Sequence, residues 1–103
     1  MERWPGPKAH QPGAESENFM HYVYILKSLK NGKLYKGCTN NLKRRLKEHA
    51  NGKSEFTKQN GPWRLLYYEG FESKLDAEAE EKFLKSGKGK ERVKYLLHDT
   101  LKT

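Results

Sequence analysis

Three tyrosines, an arginine and a histidine stand at spacings that can bring their side chains together. Tyr22 and Tyr24 are two residues apart, Tyr35 follows a short way on, and Arg45 and His49 are separated by four. Phenol hydroxyls and an imidazole move protons, and a guanidinium offers a planar fork of donors to anionic oxygens such as those of phosphate. Residues two apart share a strand face, and residues four apart share a helix side. The groups therefore meet if the tyrosines sit on adjacent strands and Arg45 and His49 on a helix laid beside them. The plain alternative is structural: paired sheet tyrosines usually pack, and an arginine on a basic helix is usually solvated.

The surrounding sequence supplies the required elements. Tyr22-Val23-Tyr24-Ile25-Leu26 is rich in β-branched and aromatic residues and reads as a strand. Asn31-Gly32 is a hairpin signal, because both residues accept positive φ, and Leu34 to Thr39 returns as the second strand. Asn40 and Asn41 are helix caps for Leu42 to Ala50, which ends at Asn51-Gly52 and places Leu42 and Leu46 on its buried stripe. Residues 51–62 read as a polar connection anchored by Phe56 and stopped by Gly61-Pro62. Trp63 to Glu69 is a third strand. Leu75 to Ser86 is a helix burying Leu75, Ala79, Phe83 and Leu84, with Gly87 closing it. Glu91 to Leu101 is a last helix burying Val93, Leu96 and Leu97. The order β-β-α-β-α-α predicts an α+β fold, a three-stranded antiparallel sheet whose one face the helices cover. Residues 1–20, with Pro5, Pro7, Pro12, Gly6 and Gly13 and no hydrophobic period, read as a flexible tail before a folded domain at 21–103.

Composition narrows the function. The 103 residues are 34% hydrophobic, 33% charged and 12% aromatic, enough for one folded domain and no apolar run of membrane-spanning length. The first residues lack the hydrophobic core of a secretory signal, and Cys38 is the single cysteine, so a reducing cytoplasm is expected. One thiol forms neither an internal disulfide nor a cysteine-rich zinc site, and His21, His49 and His98 lie in separate segments. Gly87-Lys88-Gly89-Lys90 lacks the P-loop arrangement. Lys and Arg total 21 against 13 acids, a formal charge of +8. Since residues 1–20 carry Arg3 and Lys8 against Glu2, Glu15 and Glu17, the rest holds +9. Such a body suits a polyanion, nucleic acid first. Lys43, Arg44 and Lys47 ring the first helix, and Lys85, Lys88 and Lys90 crowd the C-terminal third, giving two basic segments for a phosphate track.

Taken together, Tyr22-Val23-Tyr24, then Tyr35-Lys36-Gly37 and the run on to Arg45 and His49, resemble the GIY-YIG nuclease signature. Gly61-Pro62-Trp63, Tyr67-Tyr68 and Glu81-Lys82-Phe83-Leu84-Lys85-Ser86-Gly87-Lys88-Gly89 resemble the small stand-alone bacterial members related to the UvrC N-terminal nuclease domain. The resemblance covers about residues 21–92 and implies the same three-stranded fold. It implies that Tyr24, Tyr35, Arg45 and His49 are catalytic, with the identity of the basic tyrosine open, and that Glu81 binds a single divalent metal, Mg²⁺ or Mn²⁺. The implied activity is a monomeric, structure-selective DNA endonuclease of weak sequence specificity, acting in DNA repair. The alternatives are a nucleic-acid-binding module that cuts slowly or not at all, or an adaptor for another repair or recombination protein. The first triplet reads Tyr22-Val23-Tyr24 in place of Gly-Ile-Tyr, and two further positions depart from the pattern. Lys36 replaces the usual apolar residue, which either leaves that strand face exposed or lets Lys36 touch a phosphate; Cys38 stands where UvrC-like members carry a lysine.

Overall fold

The structure, a computed structural model, describes residues 20–52 and 55–102. The expected N-terminal tail lies outside the described residues, and the Phe56 anchor lies outside the side chains described. β1 (His21–Ser28) is the middle strand of an antiparallel sheet ordered β2-β1-β3. Val23, Tyr24, Ile25 and Leu26 are all at most 1% exposed. A strand buried on both faces needs such a near-continuous apolar run.

β1 turns into β2 (Leu34–Thr39) through a loop longer than the two-residue turn the Asn-Gly pair suggests. The Ser28 N–H donates to the Lys33 carbonyl at 2.8 Å, and among the described residues only Gly32 of this loop has positive φ. Ser28 explains the difference. Its buried hydroxyl accepts from the Lys30 and Asn31 N–H groups at 3.0 and 3.1 Å and donates to the Asn60 carbonyl at 2.6 Å, holding a wider loop. β3 (Trp63–Phe71) pairs with β1 on its other side, with a bulge opposite Ile25/Leu26. The extra residue lets Leu66 and Tyr67 both pack against the core, after which alternation resumes with Tyr68 opposite Tyr24.

α1 (Leu42–Ala50) has the expected bounds, and its cap is Asn41, whose side chain accepts from the Arg44 N–H at 3.0 Å. The polar connection contains a further short helix, α2 (Glu55–Asn60). α3 (Lys74–Leu84) and α4 (Gly87–Leu96) follow β3, and a 3₁₀ turn (Thr100–Lys102) ends the fold. Val23 and Ile25 form the core with Ala77 and Leu84 of α3, Val93 of α4, and Leu97 just beyond it. Tyr24 instead meets α1. Helices therefore cover both sheet faces, where one covered face was expected.

Three other expectations change. Of the expected stripe of α3, Leu84 is buried in the core, but Leu75 is 75% exposed, Ala79 is exposed and Phe83 is 39% exposed. The buried positions are Ala77 and Leu84, with Glu80 and Glu81 partly buried between them. Gly87 opens α4 instead of closing α3: the Ser86 side chain accepts from the Gly89 N–H at 3.1 Å and starts the helix earlier than the apolar spacing suggests. Gly89 lies buried where any Cβ would overlap the Phe83 carbonyl, so the backbones of α3 and α4 meet directly.

Candidate active site

Tyr24 lies at the centre of β1 with its side chain on the α1 side of the sheet. Its hydroxyl is 2.8 Å from His49 Nε2, and Arg45 Nε donates to the same oxygen at 3.4 Å. The helical spacing of four puts both α1 groups onto one phenol. Tyr35 completes the cluster from β2, its ring centroid 6.3 Å from Tyr24 and 5.0 Å from His49, with Trp63 at 6.1 Å beyond. Tyr22 shares this face as expected, and its ring pairs edge-on with Tyr68 at 6.1 Å.

Gly37 had no role assigned from the sequence beyond its place in the motif, yet the cluster needs it. A Cβ there would run into the Tyr24 hydroxyl, so the phenol can cross the edge strand only over a glycine. Glu48 was also missed. Its carboxylate accepts from Arg45 Nη1 at 2.8 Å and lies 3.5 Å from Arg44 Nε, which fixes the guanidinium against Tyr24. The i, i+3 spacing from Arg45 is a signal that would have found it.

The electrostatics follow from burial. Desolvation pushes the Tyr24 phenol up to about 12, against the lowering effect of its hydrogen bond to Arg45; Tyr35 and Glu81 push it further up. Glu48 first, and then Tyr24, hold the Arg45 guanidinium charged. Burial, then the Arg45 charge, pull the His49 imidazole below its usual range, so it is neutral at pH 7. His49 is 2% exposed, and its Nδ1 is buried without a partner among the described residues. Leaving such an atom unpaired costs about 1–3 kcal/mol, a cost that marks positions kept for a reason other than stability.

The two adjacent carboxylates of α3 go to different places. Glu80 turns to β3, where Tyr67 donates to Glu69 Oε2 at 3.0 Å and Glu69 Oε1 is buried without a donor unless Glu80 carries a proton. The hydrogen bond to Glu69 first, then burial, push Glu80 up to about 7. Glu81 turns the other way. Its charge is felt by Tyr24 and Cys38, and Lys85 pairs with its Oε2 at 3.0 Å. Among the described residues no three His, Cys, Asp or Glu side chains gather into a metal cage. A lone carboxylate beside a basic surface nevertheless suits Mg²⁺ or Mn²⁺, since Mg²⁺ keeps most of its waters and uses one or two carboxylates. Cys38 packs against the apolar core and its thiol is pushed up, by burial first and then by Glu81 and Glu78. It stays protonated and supplies no cation to the phenol.

The basic residues divide between the two sides. Lys43, Arg44 and Lys47 are exposed on α1. Lys36, half-buried on β2, lies with Lys85 and Lys90 around one cleft, while Lys88 is exposed nearby in the first turn of α4. No helix among the described residues is long and apolar enough to cross a membrane.

The chain matches the family described as "GIY-YIG catalytic domain" over residues 20–95. It is 48% identical to a UPF0213 protein of Clostridium perfringens over 67 residues, which cover 64% of this chain and 71% of the relative. A UPF0213 protein of Bacillus licheniformis is 38% identical over 81 residues, 78% of this chain and 82% of the other. The solution NMR structure of a UPF0213 protein from Bacillus halodurans is 41% identical, covers 75% of this chain and 84% of that one, and superposes with a TM-score of 0.48.

Proposed function

The chain belongs to the GIY-YIG family, and from that membership we propose that it is a metal-dependent nuclease that hydrolyses phosphodiester bonds of DNA. The observation that carries the reading is the buried Tyr24–His49–Arg45 cluster, which stability alone would not select. Arg45, fixed by Glu48, presents its fork to the equatorial oxygens of the phosphate, where charge grows in the transition state. The pushed-up phenol of Tyr24 is protonated at neutral pH and acts as a relay. In the tautomer with its proton on Nδ1, His49 Nε2 takes the Tyr24 proton while the Tyr24 oxygen takes one from the attacking water. Tyr35 holds the relay from the β2 side. Glu81 would hold the divalent ion, which supplies Lewis-acid polarisation of the phosphate and neutralises the leaving oxygen when bound. Lys43, Arg44 and Lys47 of α1, with Lys36, Lys85, Lys88 and Lys90 on the other side, hold the backbone without reading bases, which favours selection by DNA structure over sequence.

Incubating the protein with branched, nicked and single-stranded DNA, with and without Mg²⁺ or Mn²⁺, tests this. Metal-dependent cutting that is lost in Glu81→Gln and Arg45→Ala supports it. Equal cutting by these variants and the parent refutes it.

A second reading has one observation behind it. With Tyr24 pushed up and a protonated thiol at position 38, little in the free protein favours a phenolate. That suits a nucleic-acid-binding module that cuts slowly. Binding at low salt without metal-dependent cutting, with cutting raised by Cys38→Lys, would select this reading.

A further inference from the structure

The cleft at the free edge of β2 is lined by Leu34, Tyr35, Lys36, Lys85 and Lys90 and has a volume of about 360 Å³. Three separate elements supply its cations: Lys36 comes from β2, Lys85 from the C-cap of α3, and Lys90 from α4. Lys85 is paired with Glu81, but among the described residues neither Lys36 nor Lys90 has an acidic partner. Bringing like charges into one cleft opposes folding unless something there compensates. The strain registers on Lys36, whose ammonium is pulled below its usual range by burial first and then by Lys90 and Lys85. An apolar residue at this position would pack without that cost. The half-buried lysine is therefore better explained by an anion than by the fold.

The position of the cleft says which anion. Lys36 is the neighbour of Gly37, over which the Tyr24 phenol lies, and Tyr35 contributes to both the cleft and the tyrosine–histidine cluster. Lys85 pairs with Glu81, a carboxylate whose charge reaches the phenol. We propose that the Lys36–Lys85–Lys90 cleft is a phosphate-binding subsite, holding a phosphate group of the substrate strand next to the one that Tyr24 and Arg45 face. Its role as a substrate subsite rests on the nuclease reading; its capacity to bind phosphate does not. The phosphate has two sources, an internal diester of the strand or a terminal monoester at a cut end.

The test uses the full chain without divalent metal. Inorganic phosphate is titrated against chloride at matched ionic strength, and backbone amide shifts are followed by NMR. Saturable shifts confined to residues 34–36 and 85–90, abolished in Lys36→Met and in Lys90→Met but retained in Lys94→Met, support the proposal. Lys94 is exposed on α4 and controls for the loss of one charge. Unsaturable drift over the whole basic surface, or parent-like titration of both cleft variants, overturns it. Short single-stranded DNA with and without a 5′-phosphate then separates the sources. Lys36→Met should weaken binding about tenfold more than Lys94→Met, in keeping with loss of one charge-assisted hydrogen bond. If the weakening is confined to the phosphorylated strand, the cleft takes a terminal phosphate; if both strands weaken alike, it takes an internal one. Equal losses in Lys36→Met and Lys94→Met for both strands sink the subsite. A parent that binds phosphate here yet never cuts DNA sinks the nuclease reading alone, and a cutting parent without saturable phosphate sinks the cleft alone.

Discussion

β1 presents two differently built faces. Towards α3 and α4 it offers Val23 and Ile25, which pack with Ala77, Leu84, Val93 and Leu97 in an apolar core. Towards α1 and α2 it offers Tyr24 and Ser28, equally buried but bound through their hydroxyls to the His49 imidazole and the Asn60 carbonyl, with Leu26 between them. Burial on the first face stabilises the fold through removal of apolar area from water. On the second, much of that gain is offset by desolvated polar groups, one of them an unpaired His49 nitrogen. The difference teaches that the apolar face carries the fold so that the polar face can be held in a costly arrangement. α3 joins the two roles, since Leu84 belongs to the core while Glu81 reaches towards Tyr24.

The largest expected effect lies on the apolar face. Leu84→Ala should destabilise the protein by about 2–5 kcal/mol in chemical denaturation. A loss under about 1 kcal/mol would mean that this face is not the core. Next comes the polar face, where Arg45→Ala and Tyr24→Phe should lower cutting roughly 10²–10³-fold, the range seen on removing one donor from a transition-state charge. Their unfolding free energies should change by only about 1 kcal/mol. If stability fell as far as in Leu84→Ala, the contrast between the faces would fail.

Gly37→Ala should sharpen the comparison. The added methyl displaces the Tyr24 hydroxyl, so overpacking of about 1–3 kcal/mol should accompany a loss of cutting without any change to a polar group. The core amides of α3 and α4 should keep their exchange protection in this variant.

The smallest effect is in the pH dependence of stability, where the faces should pull in opposite directions. Glu80 has a folded pKa raised to about 7, so the native state binds the extra proton, and its contribution is lost as pH rises towards 7. His49 is depressed by burial, so its contribution is present above its ordinary range near 6.5 and lost as pH falls through its folded value. Glu80→Gln should flatten the first slope and His49→Gln the second. The Glu80 slope amounts to on the order of 1 kcal/mol, because partial solvation of its carboxylate screens it. Melting curves of parent and variants between pH 5 and 8 read both slopes.

Much of the fold was legible in the residues. The strand at Tyr22–Leu26, the return at Leu34–Thr39, the capped helix Leu42–Ala50 and the third strand from Trp63 follow from local patterns that their neighbours do not contradict. The wider hairpin loop was not, because Ser28 reaches Asn60 across a long stretch of chain. Leu75 and Phe83 read as core because helical spacing counts apolar residues without knowing the width of the surface they meet. Of the site, strand and helix periods left Tyr22 and Tyr24 equally placed to meet Tyr35 beside Arg45 and His49, and the family resemblance singled out Tyr24; the structure brings Tyr24, Tyr35, Arg45 and His49 together. The separation of Glu80 from Glu81 was not legible in that spacing. Adjacent residues on a helix differ by about 100° in direction, and only the positions of β2 and β3 turn that angle into different partners.

By itself the sequence determined a basic α+β chain, its principal strands and helices, and the residue types able to handle a phosphate, because charge, caps and periodicity act locally. Tertiary structure decided which groups lose water and which face one another. It buried His49 as a neutral imidazole against Tyr24, made Gly37 the gap through which the phenol passes, and gathered Lys36, Lys85 and Lys90 into one cleft. Desolvation and charge proximity depend on distances between segments far apart in the chain, and those distances exist only once the sheet and its two helical layers have closed.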